Sequence, residues 1–145
     1  MTVNELNLNK TKPDAPADST VDHFIVKDGV EYSGTHLLID LWGACRLDDA
    51  QYIEKTLIQC IEACHASLLH IHLHQFSDSG GISGVAILAE SHISVHTWPE
   101  RNYAAFDVFM CGVAKPLNAV DILKKAFTPQ RLNVKEILRG QQEEQ

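Results

Sequence analysis

The chain has 145 residues, 19 of them acidic and 12 basic, for a formal net charge of −7, and 45% of it is hydrophobic. That length suits one domain with a core of its own, and the acidic balance excludes the basic face that a nucleic-acid binder needs. No apolar run approaches the ~20 residues of a membrane span, and the first 20 residues lack the apolar stretch of a secretory signal. A cytoplasmic protein with no nucleic-acid and no membrane partner is therefore expected, with Cys45, Cys60, Cys64 and Cys111 as reduced thiols.

Residues 1–30 are polar and aperiodic, which predicts a mobile tail, with one extra edge strand at Phe24-Ile25-Val26. His36 to Leu41 is a short apolar run between Gly34 and Gly43, hence a strand. Asp48 and Asp49 can cap a helix whose apolar face is Ile53, Leu57, Ile61 and Cys64, running to about Ala66. Leu69 to His74 alternates strictly, so one strand face is aliphatic and the other carries His70, His72 and His74. A Ser/Asp/Gly loop follows Phe76, then strands at Val85–Leu88, Ile93–His96 and Ala104–Cys111. Pro116 suits the first turn of a second helix, with Leu117, Val120, Leu123 and Phe127 as its inner stripe. Leu132 to Leu138 reads as the last strand. Two helices cannot cover both faces of such a sheet. The expected fold class is α+β, a two-layer sandwich of a mostly antiparallel sheet with two helices on one face. The other face is left for a partner subunit.

Chemistry concentrates between Leu88 and Glu100, where Ser, Glu and His crowd a short span between apolar strands. A Ser/His hydrolase is one reading, but the GxSxG elbow is absent. Ser91 and His96 also fall on opposite faces of one continuous strand, so their interaction needs a bend or a second chain. Three histidines along one strand are too spread for one tetrahedral ion, and a metal site is not expected at His70, His72 and His74. Decarboxylation of an amino acid needs an electron sink, and none of the eight lysines lies in this span to carry pyridoxal phosphate.

Gly81-Ile82-Ser83-Gly84, Ala89-Glu90-Ser91-His92, Trp98-Pro99-Glu100, Tyr103-Ala104-Ala105 and Asp107 to Gly112 together resemble the bacterial S-adenosylmethionine decarboxylase proenzymes of the small pyruvoyl-dependent type. The resemblance runs from about Gly34 to Gly140 and frames one decarboxylase domain over residues 31–140. It implies self-cleavage between Glu90 and Ser91 into a β chain, 1–90, and an α chain, 91–145. Residue 91 becomes the covalent pyruvoyl cofactor, which takes the substrate amine as a Schiff base.

By the same resemblance His96 is the proton acceptor in processing, and an imidazole suits a base near neutral pH. Ser83 assists processing, and Cys111 is the proton donor in catalysis. Phe76 and Trp98 are the aromatic substrate contacts, Phe76 on adenine, and Glu100 binds the ribose hydroxyls. S-adenosylmethionine is the implied substrate, decarboxylated to the aminopropyl donor for spermidine. The implied assembly is a homodimer whose sites use both chains. Asn102 stands where many relatives have Gly, a departure that bears on the shape of that turn. Two rivals share these residues: a pyruvoyl decarboxylase of ornithine or arginine, and a ligand-binding homologue that never cleaves.

Overall fold

The computed structural model of the chain describes residues 24–142, so the part of the expected tail up to residue 23 lies outside the described residues. β1 (Ile25–Lys27) and β2 (Val30–Tyr32) pair across Asp28 and Gly29. Both turn residues have positive φ, +51° and +79°, the backbone that a tight Asp-Gly hairpin requires. The strand expected at 24–26 thus exists one residue further on, in a hairpin of its own rather than at the edge of the main sheet.

The main sheet comprises β3 (Gly34–Trp42), β4 (Leu68–Gln75), β5 (Ile82–Leu88), β6 (Ser91–Trp98), β7 (Tyr103–Cys111) and β8 (Arg131–Arg139). Its order is β4-β5-β6-β7-β3-β8, and every neighbouring pair is antiparallel. α1 (Ala50–Ala63) starts where the Asp49 carboxylate accepts the Tyr52 N–H at 3.0 Å. α2 (Asn118–Phe127) buries Ala119, Leu123 and Phe127. Leu117, expected on its inner stripe, is 54% exposed, because the helix begins one residue later and turns Ala119 inward instead.

One core fills the space between helices and sheet. Leu37, Ile39 and Leu41 of β3 and Phe106 and Val108 of β7 meet Ile53, Leu57 and Ile61 of α1 and Leu123 and Phe127 of α2, all essentially solvent-free. Each such side chain stabilises the fold by roughly 1.5–3 kcal/mol through its removal from water. Cys60 and Cys64 join this layer as buried thiols, pushed by burial up to about 12 and about 11. Thr97, buried on β6, donates to the Leu47 carbonyl at 2.7 Å and accepts the Ile82 N–H at 2.9 Å, fixing that end of the sheet to the loop before α1.

Among the described residues, no helix lies on the opposite face. Strand pairing lines up His72, Val85, Ser94, Asp107, Leu38 and Lys135 as one cross-strand row, and His70, Ile87, His92, Phe109, His36 and Ile137 as the next. Alternation along each strand places Ser83, His96 and Cys111 on this face.

Candidate active site

The β5–β6 hairpin closes on two residues, Ala89 and Glu90, with Leu88 opposite Ser91. A two-residue hairpin loop needs positive φ at a central position, and Glu90 supplies it at +59°. For a residue with a Cβ that conformation costs on the order of 1–2 kcal/mol. The peptide preceding Ser91 therefore sits on a strained residue. Ser91 Oγ accepts the Cys111 N–H at 3.2 Å, which ties the hairpin to the end of β7. Ser91 and Cys111 are thereby brought together.

The Cys111 thiol is half-buried, and its pKa is raised, first by burial and then by the nearby Glu90 carboxylate. At neutral pH it holds its proton, as a donor must.

Ser83 and His96 are direct partners in the β5–β6 register, and Ser83 Oγ lies 2.9 Å from His96 Nδ1. Strand β6 runs unbroken from Ser91 to Trp98. Five residues at ~3.3 Å each separate Ser91 from His96 by roughly 16 Å along the strand. The structure thus gathers the expected site residues into two groups near opposite ends of β6, Ser91 with Cys111 and Ser83 with His96, and along the unbroken strand Ser91 and His96 point to opposite faces.

The aromatic contacts fall at the His96 end. Trp98 stacks on Tyr103 with ring centroids 5.2 Å apart, and Tyr103 stacks on Trp42 at 4.2 Å. The Arg131 guanidinium extends the row, 5.3 Å from the Trp42 ring. Tyr103 donates its hydroxyl to Asp40 at 2.6 Å, and desolvation together with that carboxylate raises its pKa to about 12. Phe76, just past β4, meets the His74 ring edge-on at 4.7 Å and is 48% exposed. Glu100 is exposed on the short 3-10 turn Pro99–Arg101. Asn102 ends that turn at φ +51°, ψ +36°, the left-handed shape that glycine takes freely and asparagine tolerates.

Sequence reasoning missed a polar network at the centre of the face. Asp107 receives Ser94 Oγ at 3.1 Å on one oxygen and lies 3.0 Å from His36 Nε2 with the other. Phe109 packs beside it, 6.0 Å from His36 and 5.7 Å from His92. The available signal was polar residues at alternate positions of otherwise apolar strands, His36 in β3 and Asp107 in β7. His70, His72 and His74 share this face on edge strand β4 and are exposed.

A half-covered antiparallel sheet that presents a serine after a strained peptide, beside a protonated thiol, has the parts of a small two-layer decarboxylase that builds its own carbonyl group. The model of the S-adenosylmethionine decarboxylase family matches residues 35–140. An S-adenosylmethionine decarboxylase proenzyme of Methanococcus maripaludis is 46% identical over 110 residues, 74% of this chain and 89% of its own length. One from Thermomicrobium roseum is 41% identical over 108 residues, covering 74% of this chain and 93% of the relative. In three dimensions, the crystal structure of the adenosylmethionine decarboxylase from Aquifex aeolicus superposes with a TM-score of 0.69 at 33% identity, over 79% of this chain and 96% of that one. The chain belongs to the S-adenosylmethionine decarboxylase family.

Proposed function

We propose that this chain is a proenzyme that cuts itself between Glu90 and Ser91 and then, with the pyruvoyl group so formed, decarboxylates S-adenosylmethionine for spermidine biosynthesis. The observation that carries the reading is the hairpin itself, with Glu90 held at φ +59° and Ser91 Oγ anchored by the Cys111 N–H.

In processing, Ser91 Oγ attacks the Glu90 carbonyl carbon. The peptide C–N bond breaks and an ester replaces it. Relief of the left-handed Glu90 backbone favours that exchange. Removal of the Ser91 α-proton then expels the Glu90 carboxylate and leaves a dehydroalanine. Water converts this to the ketone, and ammonia departs. The α-proton needs a base, and an imidazole near neutral pH serves.

Within one chain His96 is about 16 Å too far along β6 to act. A second copy, packed face to face about a two-fold axis, brings its His96 end against the first copy's Ser91 end, and the reverse. The partner's His96 is then the base, with the partner's Ser83 fixing its ring through the 2.9 Å contact. The aromatic end of each chain, Phe76 and Trp98, with Glu100, would border the site of the other. An exposed Phe76 and Trp98 are suited to an adenine and a sulfonium cation, and Glu100 to a vicinal diol.

A ketone formed at residue 91 would supply the sink for the electron pair that is left when carbon dioxide departs. Cys111, protonated and next to residue 91, returns a proton to the α-carbon.

Denaturing mass spectrometry of the purified chain tests this. The expected result is two fragments, 1–90 and 91–145, the second with a terminus that borohydride and hydroxylamine modify. A persistent single chain of 145 residues would overturn the reading.

A further inference from the structure

Gly34 opens β3 and stands directly opposite Cys111 in the β3–β7 pairing. It is buried, and its φ is not in the left-handed region. Backbone freedom therefore gives no reason for glycine here. Space does. A Cβ at Gly34 would lie 3.0 Å from Cys111 Sγ, 3.0 Å from Phe109 Cε2 and 2.6 Å from the Met110 carbonyl oxygen. The thiol occupies room that any side chain at position 34 would claim.

We infer that Gly34 is a positioning residue for decarboxylation: its missing side chain seats the Cys111 thiol in the orientation from which the proton is delivered. The inference rests on the reading of Cys111 as proton donor. Proton delivery to carbon depends on geometry, and a displacement of about 1 Å can cost on the order of 10²-fold in rate. Alanine at position 34 forces one of two adjustments. Either the thiol rotates to another staggered well, or β3 moves away from β7. The contact with the Met110 carbonyl involves backbone and persists whatever residue 111 is. The contact with Sγ vanishes when Cys111 is replaced. That difference makes the two effects separable by a double-mutant cycle. Ser91 lies across β7 from Gly34, on β6, and is not among the three atoms nearest to a Cβ there. Its Oγ accepts the N–H of the same Met110–Cys111 peptide whose carbonyl that Cβ would meet, so self-cleavage reads any shift of that peptide apart from the thiol.

The experiment compares Gly34→Ala, Cys111→Ala and the double variant, each read for self-cleavage, kcat, KM and thermal midpoint. Gly34→Ala is expected to cleave into two fragments, to lose at least about tenfold in kcat and to keep KM within about twofold. The double variant is expected to lose clearly less relative to Cys111→Ala than Gly34→Ala loses relative to the unaltered chain, the remainder coming from the persisting Met110 contact. Full kcat in Gly34→Ala, or the same fold-loss from Gly34→Ala in both backgrounds, overturns the proposal. Should Gly34→Ala fail to fold, the midpoints decide. A double variant that folds with a midpoint close to that of Cys111→Ala supports a conflict with the thiol, and one equally unfolded overturns it. Full turnover in Cys111→Ala would instead remove the donor reading itself, a result distinct from any of these.

Discussion

Ser83 Oγ lies 2.9 Å from His96 Nδ1 across the β5–β6 pairing, while Ser91, whose processing they are proposed to serve, begins the same β6 strand five residues before His96. No rotamer of His96 spans about 16 Å of extended strand. Processing in trans follows, and complementation can detect it. Expressed alone, His96→Ala should stay uncleaved, because it lacks a base, and Ser91→Ala should stay uncleaved, because it lacks the nucleophile. Expressed together they should form mixed dimers with one intact composite site. The His96→Ala chain should then be cut while the Ser91→Ala chain remains whole, which mass spectrometry of the mixture reads directly. No cleavage in the mixture would rule out a shared site.

The hydroxyl of Ser83 acts on His96 and not on Ser91 of its own chain. Ser83→Ala should therefore slow cleavage without abolishing it. A loss of about 10-fold is expected, against 10²–10⁴-fold when the base itself is removed. The time course of fragment appearance after synthesis measures both. Equal rates for Ser83→Ala and the unaltered chain would leave the 2.9 Å contact without a role in processing.

Much of this arrangement was legible in the residues, and the reasons for the rest are physical. The alternation from Leu69 to His74 gave β4 to within one residue at each end, and the Asp49 cap gave the start of α1, which ends at Ala63 rather than near Ala66, because each depends on neighbours in sequence. Sheet order does not. That β3 lies between β7 and β8 follows from which apolar faces fit the helices, a long-range outcome. The Val30–Tyr32 strand escaped notice because three residues carry too little periodicity, although Asp28-Gly29 marked its turn. Within the site, Ser91 and His96 stood out by residue type, and Cys111 came only with the family resemblance. That Ser91 adjoins Cys111 and His96 adjoins Ser83 appeared only with the register and the contacts it sets. The Asp107 network and the empty side of Gly34 involve strands β3, β6 and β7, remote in sequence: alternation marks His36 and Asp107 as polar positions but not that they meet, and no local pattern marks the space beside Gly34.

The uncovered sheet face should be the dimer contact. Ile87 stands in its middle row, on β5 beside His70 and His92, and is 47% exposed in the single chain. Ile87→Glu would place a charge in a contact that has little water to solvate it. The expected outcome is a monomer by sedimentation that keeps its secondary structure and no longer cleaves. A variant that sediments as a monomer yet cleaves at the normal rate would show that one chain suffices.

Stability should fall at alkaline pH because of the two core thiols on α1. Burial raises Cys60 from 9.0 to about 12 and Cys64 from 9.0 to about 11. Below pH 9 both are protonated folded or unfolded, and stability is intact. Between 9 and those raised values the unfolded chain ionises and the folded one does not, so unfolding gains free energy. From near pH 8 to near pH 10.5 the loss should be about 2 kcal/mol per thiol. Urea midpoints at the two pH values measure it, and Cys60→Ala should remove roughly half of the difference. An unchanged pH dependence in that variant would assign the slope to other groups.

Glu90 also bears on the Cys111 thiol. Its carboxylate is the second cause, after burial, that raises the Cys111 thiol above its ordinary 9.0. A donor works only while protonated, so kcat should hold through neutral pH and decline as pH rises past that raised value. Glu90→Gln removes the side-chain charge, while the α-carboxylate that cleavage leaves on residue 90 is common to both enzymes, so the variant's thiol ionises more easily and its pKa is lower. Once cleaved, this variant should keep its kcat near pH 7 and lose it at lower pH than the unaltered enzyme does on the alkaline side. Cys111→Ala should show no such limb. The kcat profiles of the three enzymes decide the matter, since a limb that stays in place in Glu90→Gln would mean that some group other than Cys111 sets it.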